Sequence, residues 1–516
     1  MSRWSLRGGA RIASVLLALA GAAPVATAQS NGPLARLPQG LAEGVRQGAV
    51  ERFSGLPYGA AERWTAPLAA EPWLFRLAAQ ALPPRCPQSA VGLAAGTERE
   101  DCLYLNVYRP AAASKRPRAV LVYVHGGGAT GGSANDHDGS ALAEQGDIVV
   151  VTVNYRLGAL GFFNGGNYAL QDVLLALQWV RRSIAGLGGD PQRVTLAGES
   201  AGGTVICPLL AASQARGLFR AAIISSDDCL HDVDTAAEAR QRAEALARRL
   251  GCDGIDMACM RRATPLQLVQ AGGGAAPAIG RPGLLPDYAV AQISRHHWAR
   301  VPLLLGANRD EGRMAGPGFF RYDEQRYQDW LATLLPPALR GAVGNAYRDD
   351  HAGDPLEYAY KISAILTDSG MRGLGGCTML PLAQAAARDA PVYFYQFEDG
   401  QAPYGEPGAF KFGAAHAAEL PYLWPGGAFA HHAERMSEAQ RRLSAQMIAH
   451  WAAFVRNGTP DVDGQPAWPS LQQQQSFRAF RQGASVQLPL EEYAAQHRCS
   501  FWRQLPVIMD RGDSRP

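Results

Sequence analysis

The sequence predicts an α/β fold: a mostly parallel central sheet with helices on both faces and large insertions. Three observations predict it. Short, continuous, β-branched apolar runs recur, among them 119–124 (AVLVYV) and 148–153 (IVVVTV), as in strands buried on both faces of a parallel sheet. Segments with helical periodicity alternate with them, most clearly 170–184 (LQDVLLALQWVRRSI), and strand–helix alternation defines this class. The 516 residues are 47% apolar and 18% charged. That composition supplies a large core and excludes a disordered, collagenous or coiled-coil chain.

Taken in order, the first element is a leader. Arg3, Arg7 and Arg11 precede the apolar run 12–23 (IASVLLALAGAA), and Ala26-Thr27-Ala28 follows before Gln29. A positive start, a short apolar stretch and a small-x-small site describe a secretory signal peptide, residues 1–28, cleaved near Ala28. The run is too short to span a bilayer. No later segment is apolar enough to do so, and the mature chain, 29–516, is read as one domain. The whole chain carries 49 Lys and Arg against 46 Asp and Glu, and without the three leader arginines the balance is 46 against 46. Such neutrality argues against a nucleic-acid partner.

Eight cysteines agree with export: Cys86, Cys102, Cys207, Cys229, Cys252, Cys259, Cys377 and Cys499. An even number in an exported chain predicts disulfides. No C-x-x-C occurs, so no zinc ribbon is expected, and no metal or other cofactor is called for.

The strand at 119–124 runs into His125-Gly126-Gly127-Gly128, and a helix is expected over 138–145 before the strand at 148–153. Helix 170–184 follows, then strand 193–197 (RVTLA), which leads directly into Gly198-Glu199-Ser200-Ala201-Gly202. A helix is expected over 203–210, and further strands at 221–225, 301–305 and 392–397. The glutamine run 472–475 reads as a surface loop, and Asn457-Gly458-Thr459 as a helix-ending turn.

The chemistry concentrates where strands end. G-x-S-x-G places a serine on a sharp strand-to-helix turn with its hydroxyl exposed. The pattern alone is weak, but its strand and helix context is right. A histidine followed by three glycines leaves backbone N–H groups free to face a developing oxyanion. A phosphate cradle would need G-x-x-x-x-G-K-[ST], which is absent. Together the two motifs predict acyl transfer. The serine then requires an acid and a histidine downstream. His450 lies in an amphipathic helix and His351 in a polar loop, whereas His416 sits in a loop of small residues able to approach the serine. Asp310 and Glu311 both follow the strand at 301–305, where α/β folds place ligands. Pattern alone does not choose between them.

Longer motifs carry a resemblance. They are Phe53 to Tyr58 (FSGLPY), Glu100 to Val107 (EDCLYLNV), the HGGG loop, Gly188-Gly189-Asp190-Pro191, Gly198 to Gly203 (GESAGG), Asp310-Glu311-Gly312, and His416 to Tyr422. On these the chain resembles the type B carboxylesterase (cholinesterase-like) family of the α/β-hydrolase fold, over nearly all of its mature length. The resemblance implies Ser200 as nucleophile, Glu311 as acid and His416 as base. It implies oxyanion donors at the backbone of Gly127, Gly128 and Ala201, with Ser226 and Glu199 as supports beside the triad. It further implies disulfides Cys86–Cys102, Cys252–Cys259 and Cys377–Cys499, which leaves Cys207 and Cys229 to pair with each other.

Two departures stand out. Ala129 follows HGGG where the family commonly has an aromatic, and Asp227-Asp228 follow Ser226 where it usually has a glycine. In addition, the loop 87–101 (PQSAVGLAAGTERED), closed by the first disulfide, holds no aromatic residue. Cholinesterases of the family seat a choline cation against a tryptophan in that loop. Trp64 and Trp73 are the aromatic candidates upstream. The expected activity is therefore hydrolysis of neutral carboxylic esters through an acyl-enzyme, with the ester and water as partners. The alternatives are a lipase acting on longer-chain or interfacial esters, and a non-catalytic cholinesterase-like binding protein.

Overall fold

The computed structural model describes residues 32–89, 97, 99–230, 233–272, 276–280, 284–370, 373–405 and 408–505. The segment 1–28 expected to be a leader, His231 and most of the loop read over 87–101 lie outside the described residues.

Its centre is an eleven-stranded mixed sheet. In chain order the strands are β1 (Val45–Gln47), β2 (Val50–Pro57), β3 (Tyr104–Pro110), β4 (Arg118–Val124), β5 (Val149–Val153) and β6 (Gly189–Glu199). They continue as β7 (Ala221–Ser225), β8 (Leu303–Asn308), β9 (Val392–Phe397), β10 (Ser476–Phe480) and β11 (Val486–Pro489). Their spatial order is β11-β10-β9-β8-β7-β6-β4-β5-β3-β2-β1. From β10 across to β5 every pairing is parallel; β1, β2, β3 and β11 pair antiparallel at the two edges.

The side-chain alternation of a strand divides the core in two. Val120, Val122 and Val124 of β4 enter one buried cluster, while Ala119, Leu121 and Tyr123 enter another. The first cluster is covered by helices spanning Tyr168–Ser183 and Ala201–Ala211, through Val173, Leu177, Trp179, Val205 and Leu209. The second is covered by Glu438–Asn457, through Met447, Ile448, Trp451 and Phe454. Each fully buried side chain of this kind contributes about 1.5–3 kcal/mol. Covering both faces with helices explains why the central strands read as unbroken apolar runs.

The expected elements are present with shifted ends. The strand expected at 193–197 extends over the whole of β6, and the one expected at 301–305 begins at Leu303. Four disulfides join Cys86 to Cys102, Cys207 to Cys229, Cys252 to Cys259 and Cys377 to Cys499. Gly458, at φ 77°, caps the helix Glu438–Asn457. Among the described residues no helix is long and apolar enough to cross a membrane.

Candidate active site

Parallel strands deliver their successors to one edge. His125 follows β4, Ser200 follows β6, Ser226 follows β7, and Asp310 and Glu311 follow β8 by two and three residues. All of these sit at carboxyl ends of strands, where open α/β sheets bind ligands.

Ser200 takes φ 54° between β6 and the helix Ala201–Ala211, hereafter α1. The turn is possible because Gly198 and Gly202, two residues to either side, carry no side chain. A Cβ on Gly202 would lie 2.1 Å from the Val124 carbonyl oxygen, and one on Gly198 would lie 2.5 Å from the Gly202 carbonyl carbon. The helix therefore starts at Ala201, earlier than the 203–210 expected, because Gly202 and Gly203 serve close packing and do not break it.

Three side chains meet in one hydrogen-bonded chain. Ser200 Oγ lies 2.8 Å from His416 Nε2, and His416 Nδ1 lies 2.6 Å from Glu311 Oε2. A carboxylate accepts only, so Nδ1 carries the proton and Nε2 is left to accept from the serine hydroxyl. Glu311 is fully buried, and its Oε1 accepts from Ser226 Oγ at 2.6 Å and from Asn308 N at 2.7 Å. Asp310, one residue away, points elsewhere. Its carboxylate accepts from Ala414 N and pairs with Arg309 and Arg313. Burial alone would raise its pKa, but the two guanidinium groups outweigh that and hold it below the usual carboxylate value.

The HGGG loop lies against this chain. A Cβ on Gly126 would come within 3.0 Å of Ser200 Cβ. Gly127 and Gly128 have φ of 108° and 61°, a region open to glycine. Among the described residues no acceptor meets the N–H groups of Gly127, Gly128 or Ala201. His125 is buried and stacks on Tyr155, whose hydroxyl donates to the His125 carbonyl at 2.8 Å. Burial lowers the His125 pKa to about 4, so this imidazole is neutral scaffolding. The carbonyl of Ala129 accepts from Gly158 N at 2.7 Å.

Two further carboxylates face the imidazole. Glu199 Oε1 lies 3.4 Å from His416 Nε2. Glu419, at the start of the helical turn Leu420–Leu423, accepts from the Asn308 side-chain amide. Burial, reinforced by neighbouring carboxylates, pushes both of these acids up. For His416, burial disfavours the charged ring, yet Glu311 and then Glu199 outweigh it and raise its pKa above the ordinary value. Glu419 and Asn308 escaped the motif reading. The signal for Glu419 was its place inside His416 to Tyr422, a charge in an otherwise apolar stretch.

Among the described residues, the one trio of side chains spaced to share a metal ion is Cys207, Asp227 and Cys229. Its two sulfurs are bonded to each other, so it offers no thiolate ligand.

A parallel sheet with a serine on the β6 turn and a glycine loop beside it is the α/β-hydrolase fold. The sequence profile described as the carboxylesterase family matches residues 31–502, and the chain belongs to that family. It is a carboxylic ester hydrolase. It is 31% identical to a human cocaine esterase over 433 residues, 78% of this chain and 75% of that one. It is 30% identical to a fumonisin B1 esterase of Sphingopyxis macrogoltabida over 515 residues, 92% and 91% of the two chains. Among solved structures, a thermophilic pNB esterase superposes with a TM-score of 0.76 at 28% identity, covering 90% of this chain and all of that one.

Proposed function

We propose that this enzyme is an exported serine esterase, with residues 29–516 as its catalytic domain. Ester cleavage runs through Ser200, His416 and Glu311. The observation that carries this reading is the unbroken hydrogen-bond chain from Ser200 Oγ through the His416 ring to a buried carboxylate.

His416 Nε2 takes the Ser200 hydroxyl proton as Oγ attacks the ester carbonyl carbon. The carbonyl oxygen becomes an oxyanion, which the N–H groups of Gly127, Gly128 and Ala201 stabilise. Glu311 holds the ring tautomer and stabilises the imidazolium. The imidazolium then protonates the leaving alkoxyl oxygen, the C–O bond breaks, and the acyl group stays on Ser200. Water enters, gives a proton to the same nitrogen and attacks the acyl carbon. The carboxylic acid departs as the proton returns to Ser200. Ser226 and Asn308 keep the Glu311 carboxylate aimed at the ring.

An organophosphonate ester tests this reading. It is expected to add one equivalent to Ser200, found by peptide mapping, with activity lost in step; modification of a different serine would overturn the assignment. Export is supported by the leader pattern of residues 1–28 and by four disulfides, which persist in oxidising compartments. The exported protein should begin near Gln29 by N-terminal sequencing. Recovery of the chain with its leader intact in the cytoplasm alone would contradict export.

A further inference from the structure

Ser226 reaches Glu311 from a backbone in the left-handed region (φ 55°), which side-chain-bearing residues adopt only when their surroundings enforce it. Three residues later Cys229 is left-handed again, at φ 59°. The short turn between them is fastened to α1. Asp227 Oδ2 accepts from Thr204 Oγ1 at 2.6 Å, and Asp227 Oδ1 accepts from Cys229 N at 2.8 Å. Cys229 is itself bonded to Cys207. Thr204 and Cys207 are three residues apart, so they share a face of α1. All four residues are buried. Turn and helix touch directly, since a Cβ on Gly203 would lie 2.4 Å from Asp227 Cβ. Because α1 begins immediately after Ser200, the serine and the support of its acid, which follow different strands, are referenced to a single helix.

We propose that Asp227, Thr204 and the Cys207–Cys229 disulfide form a clamp that positions Ser226, and through it Glu311, relative to Ser200. This rests on the triad reading above. Asp227 touches none of the reacting atoms, so it is a positioning residue. Its carboxylate is accommodated inside the protein because it meets a hydroxyl and a backbone N–H near the positive end of α1. The aspartate therefore replaces the conformational freedom of the glycine usual at this place with a fixed tie.

The consequence is readable in the imidazole. His416 is faced by Glu311 after β8, by Glu199 at the end of β6 and by Glu419 at the start of Leu420–Leu423. Loosening the clamp weakens the grip of Glu311, and Thr204→Val does so with the Asp227 charge, which also acts on Glu199, left in place. The ring pKa then falls, and the ascending limb of kcat moves to lower pH while the maximum rate drops.

The test uses the full mature enzyme. Asp227→Ala keeps the Cβ against Gly203 and removes both ties. It is expected to lower kcat about tenfold with KM within about twofold, and to shift the limb to lower pH. Thr204→Val is expected to act in the same direction, and Thr204→Ser, which retains the hydroxyl, to behave as wild type. The double variant Cys207→Ala/Cys229→Ala should follow Asp227→Ala. Unchanged kcat and limb in Asp227→Ala and Thr204→Val, even with a lowered Tm, would overturn the clamp. Should Asp227→Ala fail to fold, the Thr204 pair decides alone. Glu311→Gln is the control: if it leaves kcat and limb untouched, the triad reading has failed and the clamp with it. If it is impaired, the Asp227 and Thr204 results judge the clamp by itself.

Discussion

His416 Nδ1 and Glu311 Oε2 lie 2.6 Å apart with both side chains buried, and this one contact decides which ring nitrogen faces the serine. It also sets the sign of the pH dependence. With His416 as the proposed base, only the neutral ring accepts the serine proton, so kcat/KM is expected to rise as the imidazolium deprotonates. Sequence alone puts the midpoint near the ordinary histidine value of about 6.5. The surrounding carboxylates raise the His416 pKa, so the midpoint is expected above that value. Glu311→Gln removes the largest raising charge and should bring it down. A rate flat from about pH 5 to 9, with stability controlled, would contradict a histidine base.

Glu311→Gln is also expected to cost far more in kcat than Asp310→Asn. Asp310 is engaged by Arg309, Arg313 and Ala414 N and does not touch the imidazole. Its substitution should lower Tm and change kcat only modestly. The reverse ranking in steady-state kinetics would mean that Asp310 is the acid.

The adjacency of these two acids marks the limit of what the sequence discloses. Asp310 and Glu311 share a strand end and a charge, and only the direction each side chain takes off the turn separates them. Strand ends carrying His125, Ser200 and Glu311 were legible because buried parallel strands read as apolar runs with motifs directly after them. The antiparallel strands were not: in β3, Asn106, Arg109 and Pro110 interrupt the apolar run, although Asn106 is buried and donates toward Thr152. The start of α1 was obscured by Gly202 and Gly203, whose close contacts appear only in three dimensions. Glu419 and Asn308 act through space from separate segments, and no local pattern joins them.

Cys377–Cys499 closes the longest loop, with a sequence separation of 122. In the chain-entropy model, Cys377→Ala/Cys499→Ala should destabilise by about 4–5 kcal/mol, more than removing Cys252–Cys259, whose separation is 7. Denaturant titrations of the two double variants measure the difference. Thiol titration of the denatured, unreduced mature protein should find no free thiol.

Choline esters are expected to hold no advantage. Trp64 is buried, stacks on Phe163 at 4.5 Å and donates its indole N–H to the Ala159 carbonyl. Trp73 donates to the Leu41 carbonyl and packs beside Gly40. Both rings are engaged in packing. A cation over an aromatic face gains about 0.5–2 kcal/mol. The comparison is kcat/KM for acetylthiocholine against its uncharged 3,3-dimethylbutyl isostere. A preference above about tenfold, some 1.4 kcal/mol, would contradict a neutral-ester pocket.

The most direct test of the account is turnover of p-nitrophenyl esters by Ser200→Ala, beside its thermal melt. The account predicts a wild-type melt and a loss of several orders of magnitude in kcat, since the proposed mechanism carries the acyl group on Ser200. Near wild-type turnover by the folded variant, with contaminating esterase excluded, would contradict it.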